Sequence, residues 1–223
     1  MCQHLPQRTA ASASIGDDHL LSDRKQRLLA CGLCRQLAAL VHEPKLTRVI
    51  DTSEAYADGR VCADELACGR YRALELARDR TTTPARAKFA EAVARAAAVI
   101  PPSSYSLYKT VDPAACELIN GAVRGVVELL AEEGAAPRHV PSYGTVLGDL
   151  EPRAVSPCPA WRTATTVHLA RQMYETRDFS AMPILADALQ DAGCENEDVL
   201  NHCREVAPHF RGCWVIDLIL ERH

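Results

Sequence analysis

Between Asp112 and Gly134 the chain carries one unbroken apolar stripe. Ala115, Leu118, Ile119, Ala122, Val126, Leu129 and Leu130 recur at three- and four-residue spacing, with Glu117, Asn120, Arg124, Glu128 and Glu132 on the opposite face. This is the pattern of a surface helix with one buried side. Its ends are marked as well. Asp112 is an N-cap, Pro113 suits the first helical position because its missing N–H is not needed there, and Gly134 is a stop. Aromatic residues make up only 5% of the chain, and alanine and leucine are abundant. That balance favours helices over strands in the rest of the chain too.

The same signals recur along most of the sequence. Asp23 reads as an N-cap with Gln26 three residues on, ahead of a stripe of Leu29, Leu33, Cys34, Leu37, Leu40 and Val41; Gly32, Arg35, Gln36 and Ala39 fall on the other face. Pro44 ends or restarts that helix. Further helices are expected over 45–57, 63–79 and, from a Thr83 cap with Pro84 behind it, up to Pro101-Pro102. Beyond 134 the pattern is punctuated by eight glycines and prolines from Gly134 to Pro159, which reads as a connector over 134–160. Helices resume near Thr163, again from Asp178 or Ser180 to Gly193, and once more from an Asn196 cap to Pro208. The last element, 213–220, alternates like a strand yet also satisfies a helix; with no second strand to pair with, helix is the better reading.

The expected fold is therefore all-α, an array or bundle of about nine helices. Residues 1–20 read as a disordered leader. Residues 21–223 read as a single helical domain, with an N-terminal region (21–133), the connector and a C-terminal region (161–223).

With 223 residues and 48% hydrophobic composition, the chain is large enough to bury a core without staples. A net charge of -4 gives no reason to expect nucleic-acid binding, which needs clustered Lys and Arg. No apolar run approaches a membrane span or a signal-peptide core. The ten cysteines are then better read as reduced, mostly packed thiols of a cytoplasmic protein than as a disulfide framework.

Five of the chain's metal-competent side chains crowd the C-terminal segment: Cys194, His202, Cys203, His209 and Cys213. Thiolate and neutral imidazole are the ligands zinc prefers, and His209-x-x-x-Cys213 with Cys194 and Cys203 makes a candidate set of four. Each also has a packing explanation. Cys194 follows Gly193 and would fold back on Leu189; Cys203 shares a face with Val199 and Leu200; His202 shares no face with Leu200 and is expected half-exposed. Cys31-x-x-Cys34 has the spacing of a redox pair but lies in mid-helix, away from the helix N-terminus that lowers a thiol pKa. Asp187 and Asp191 stand four apart on one helix and read as solvated carboxylates. Arg24-Lys25-x-Arg27 reads as a solvated basic face at an unfavourable helix end. Hydrolase elbows, phosphate-binding glycine loops and His-Glu-x-x-His are absent from the sequence.

Two stretches carry a resemblance. RLLACGLCR at 27–35 with EAYADG at 54–59, and FSAMPILADALQD at 179–191 followed by Ala192-Gly193-Cys194, Asn201-His202-Cys203-Arg204 and Arg211-Gly212-Cys213-Trp214, resemble the two ends of a set of uncharacterised bacterial proteins. Those proteins occur as large paralogous sets, some beside short repeat-companion domains. The segment 141–159 departs from their pattern. The resemblance implies that the two ends form one unit, and it supplies no activity.

The function expected from these residues is a cytoplasmic helical module that binds another protein, without catalysis. The alternative is a zinc protein built on Cys194, Cys203, His209 and Cys213. A thiol-based redox sensor is the third reading.

Overall fold

The computed structural model describes residues 21–98, 113–132, 134 and 142–222. The expected leader (1–20), the Asp112 cap and the Pro101-Pro102 stop lie outside them. Among the described residues the protein is all-helical, with ten α-helices and no strand: α1 (Asp23–Val41), α2 (Pro44–Ala57), α3 (Ala63–Arg78), α4 (Pro84–Ala96), α5 (Pro113–Glu132), α6 (Tyr143–Leu150), α7 (Ala164–Thr176), α8 (Met182–Asp191), α9 (Glu197–Arg204) and α10 (Trp214–Leu220). One 3-10 turn, Pro159–Trp161, precedes α7.

Local chemistry accounts for most helix ends. Thr83, Thr163 and Asn196 cap α4, α7 and α9 by accepting backbone N–H groups in the first turn. Ser22, not Asp23, caps α1: its hydroxyl accepts from the Lys25 N–H, and Asp23 becomes the acid of the first turn, where the helix dipole favours it. At the end of α8, the Cys194 N–H reaches the Leu189 carbonyl and the Gly193 N–H reaches that of Gln190, a Schellman closure with Gly193 at φ +81°. The last element is a helix, as expected.

Two apolar cores result. The first is organised by α1, which is buried almost all round: Leu28, Leu29, Cys31, Leu33, Cys34 and Leu37 are all at most 1% exposed. It packs against α2, α4, α5 and α6. Helix α6 lies inside the stretch expected to be a connector. Its Val146 and Leu150 are fully buried in the first core, with Tyr143 and Leu147 partly buried against it. Gly32, expected on the outer face of α1, sits where α6 crosses: a Cβ there would lie 3.0 Å from Val146 Cγ1. The second core gathers Met173, Tyr174, Leu185, Leu189, Val199, Trp214 and Ile216 from α7–α10. The loop before α10 joins the two, since Phe210 packs into the first core and Cys213 into the second.

The junction between the cores is polar. Arg24 pairs with Asp58 at 3.2 Å and Asp217 at 2.7 Å, and Lys25 meets Asp217 at 2.6 Å. The Tyr174 hydroxyl donates to Asp58 at 2.5 Å. Arg211 spans Glu54 (3.3 Å) and Asp58 (2.7 Å), and Arg177 also reaches Glu54. The basic run at 24–27 is therefore not a solvated face: Lys25 is 3% and Arg27 6% exposed. Its partners Asp58 and Asp217 are brought to it from α2 and α10 by the fold, which no local pattern encodes. Among the described residues, no helix is long and apolar enough to cross a membrane.

Candidate metal centre

Four side chains converge at the junction: Asp149 from the last turn of α6, His202 from α9, His209 from the following loop, and Cys213, the residue that opens α10. One ligand atom from each lies within 4.8 Å of the other three. His202 Nε2 is 3.1 Å from Cys213 Sγ and 3.2 Å from Asp149 Oδ1. His209 Nδ1 is 2.7 Å from Asp149 Oδ1 and 4.0 Å from Cys213 Sγ. A tetrahedral zinc ion with ordinary Zn–N, Zn–O and Zn–S lengths holds its ligand atoms roughly 3.3–3.7 Å apart. These four separations, from 2.7 to 4.0 Å, bracket that range. The side chains are sealed from solvent, at 4% exposure for Asp149, 6% for His202 and 5% for His209.

Surrounding groups aim these ligands. Asp149 uses its second oxygen, Oδ2, to accept the Phe210 N–H at 2.7 Å, which leaves Oδ1 facing both imidazoles. Such an outer hydrogen bond orients a ligating carboxylate. The His202 ring lies against Trp214, with centroids 5.1 Å apart, and meets His209 edge-on at 4.9 Å. Burial alone would raise the Asp149 carboxyl; the hydrogen bonds from His202, His209 and the Phe210 backbone outweigh it and hold the pKa below the usual value. The Cys213 thiol is driven well up, first by burial and then by the Asp149 charge, while the N–H groups of Val215 and Ile216 at the start of α10 pull the other way. A divalent ion held here would reverse that balance, because a coordinated thiol gives up its proton.

The sequence-derived set is divided by the structure. His209 and Cys213 belong to the cluster. Cys194 and Cys203 fall outside it and pack in the second core at 1% and 0% exposure, beside Leu189 and Val199. Burial pushes the Cys203 thiol up to about 12. His202, expected half-exposed, is buried and faces the cluster, because the junction covers the side of α9 away from Leu200. Asp149 joins the cluster from outside the sequence-derived set. Its one sequence signal is being the single acid in the apolar octad YGTVLGDL of α6.

The other candidates resolve simply. Cys31 and Cys34 are fully buried, and burial pushes the Cys31 thiol up to about 12 and Cys34 likewise upward, which is opposite to an activated redox pair. Asp187 is 75% exposed and meets Arg204 at 3.4 Å.

No family model, curated protein or solved structure matches the chain, so the centre is read from its own residues.

Proposed function

We propose that the protein is a zinc-binding helical protein, in which one ion held by Asp149, His202, His209 and Cys213 clips the two cores together. The convergence of four ligand atoms within 4.8 Å of one another carries this reading. A thiolate with two imidazoles and one carboxylate suits zinc, and a thiolate speaks against magnesium or calcium, which take oxygen ligands. Four protein ligands fill a tetrahedral shell and leave no position for a reacting water, which is the arrangement of a structural site. Buried free thiols elsewhere, such as Cys31, Cys34 and Cys203, suit a reducing, cytoplasmic setting. The test is elemental analysis by mass spectrometry of untagged protein, beside the Asp149→Ala and Cys213→Ala variants. About one zinc per chain, lost in both variants, supports the reading. A well-folded protein free of metal after zinc supplementation sinks it.

A second reading, a module that binds another protein, is favoured by a cleft of about 760 Å³ between α2 and α3. Leu46, Val49 and Leu76 line it together with charged residues of both signs, Lys45, Arg72, Asp64 and Glu75 among them. A photo-crosslinking residue in place of Arg72, used in living cells, should capture a partner; recovery of the protein alone counts against this reading.

A further inference from the structure

The cleft between α2 and α3 has walls of opposite charge. The connection over 58–62 is short and folds α3 back along α2, so the start of one helix lies beside the end of the other. Lys45 and Arg48 on the α2 wall therefore stand across from Glu75 and Asp79 on the α3 wall, and all four line the cleft. We infer that the occupant of this cleft is a second copy of the chain, docked through α2 and α3 about a two-fold axis along the cleft, which builds on the protein-docking reading given above.

The charges on the two walls are unused within the chain. Among the described residues, none of Lys45, Arg48, Arg72, Asp64 and Glu75 forms an ion pair, whereas Arg35 and Arg86 each hold a buried carboxylate. Exposed charges of this kind add little to stability, but they select what may lie opposite.

Two-fold symmetry turns this segregation into complementarity. An axis in the plane of the face and parallel to the helices sets α2 of each copy over α3 of the other. Lys45 and Arg48 then meet Glu75 and Asp79 of the second copy, and the same contacts recur on the other side of the axis. An unrelated partner would need a matching pattern of its own; a second copy carries it by symmetry.

Shape agrees with charge. Leu46, Val49 and Leu76 give the cleft an apolar lining, and Gly69 lets α3 approach α2 there, since a Cβ would lie 3.5 Å from Val49 Cγ1. Tyr71 is 60% exposed and stands on α3 three residues after Cys68 and four before Glu75, both of which line the cleft. It is a knob on the rim of a hole, and the axis sets each Tyr71 toward the cleft of the other copy. A tyrosine beside an apolar recess is the kind of anchor that dominates interface energetics. A small ligand fits less well: the charged residues lining the cleft are all exposed, and none is buried to orient a bound molecule.

The test is sedimentation velocity of the full chain from about 1 to about 200 μM, at low salt and at about 0.5 M sodium chloride. A monomer–dimer equilibrium that salt weakens is expected. Tyr71→Ala should raise the dissociation constant about tenfold or more with far-UV dichroism unchanged. Arg48→Glu and Glu75→Arg should each weaken the dimer about tenfold or more, because each sets like charges opposite one another on both sides of the axis. Mixed one to one, these two variants should dimerise again, since position 48 of each then faces an opposite charge at position 75 of the other. A chain that stays monomeric throughout overturns the inference. So does a dimer that ignores Tyr71→Ala, or a mixture of the charge variants no tighter than either alone. A monomeric chain whose cross-linker at position 72 captures a different protein loses the second copy and keeps the docking surface. A cross-linker that captures neither removes both.

Discussion

Helices α1–α5 run to 13–20 residues, whereas α7–α10 have 7–13. The first group wraps a central helix that is apolar on nearly every side. The second is held in shape by caps and a Schellman turn, around a core with fewer large aliphatic side chains. A small cluster of short helices buries less apolar surface per residue and gains more from cross-links. Three of the four candidate ligands come from this smaller group, and so do Tyr174, Arg177, Arg211 and Asp217 of the ionic junction. Where apolar burial is thin, polar contacts of defined geometry fix the docking of one core on the other. Buried ion pairs do this at a desolvation cost, so their effect shows mainly when one partner is removed.

The largest effect separating the two cores should follow metal removal. Chelation of the proposed ion, or Cys213→Ala, should lower the melting temperature sharply and expose amides of α9 and α10 to hydrogen exchange before those of α1 and α4. Structural zinc is worth on the order of 10 kcal/mol in zinc-finger peptides, although a core of this size retains part of its stability without the ion. Equal loss of protection in both groups of helices would break the comparison.

Next comes Asp58, whose carboxylate is fully buried and accepts from Tyr174, Arg24 and Arg211. Asp58→Ala leaves those donors and charges uncompensated and should cost about 3–5 kcal/mol in urea unfolding. The same residue governs an acid response. Burial would raise its carboxyl, but the Tyr174 hydrogen bond and the charges of Arg211, Arg24 and Arg222 hold its folded pKa below the ordinary value. Its contribution is therefore complete above the unfolded pKa of about 3.9 and is lost as pH falls through the lower folded value. The urea midpoint of the parent protein should drop between about pH 5 and about pH 2, and Asp58→Asn should flatten that drop. An unchanged slope would remove Asp58 from the junction's energetics.

Gly212 tests the loop that joins the cores. It sits at φ +95°, and an added Cβ would lie 2.8 Å from Leu28 Cδ1. Gly212→Ala should cost about 1–3 kcal/mol, combining backbone strain with a clash against α1. The smallest effect is expected at Cys203, buried but outside the ligand set. Cys203→Ser should keep full zinc content and lose about 1–2 kcal/mol for burying a hydroxyl in an apolar site. Loss of metal in this variant would return Cys203 to the centre.

The helices were legible because their causes are local. The stripe of α5, the Thr83-Pro84 start of α4 and the Asn196 cap of α9 each depend on residues within one or two turns. Helix α6 was missed because eight residues between glycines and prolines carry too few turns for a periodic signal, and its apolar side chains acquire meaning only against α1. Of the candidate centre, His209 and Cys213 were found since they lie four apart in one segment. Asp149 was not, because it stands 60 residues from His209 and a carboxylate in an apolar helix has no spacing to announce it.

By itself, then, the amino-acid order determined which stretches are helical, where most of them begin and end, and that thiols and imidazoles crowd the C-terminal segment. Helix propensity, capping and amphipathic period are properties of neighbouring residues. Tertiary structure alone decided which of the crowded ligands meet, that Cys194 and Cys203 pack as core instead, and that Arg24, Tyr174, Asp58 and Arg211 close the junction. Those outcomes depend on how α6, α9 and α10 dock across two cores, and distances between side chains far apart in the chain are set by packing rather than by local order.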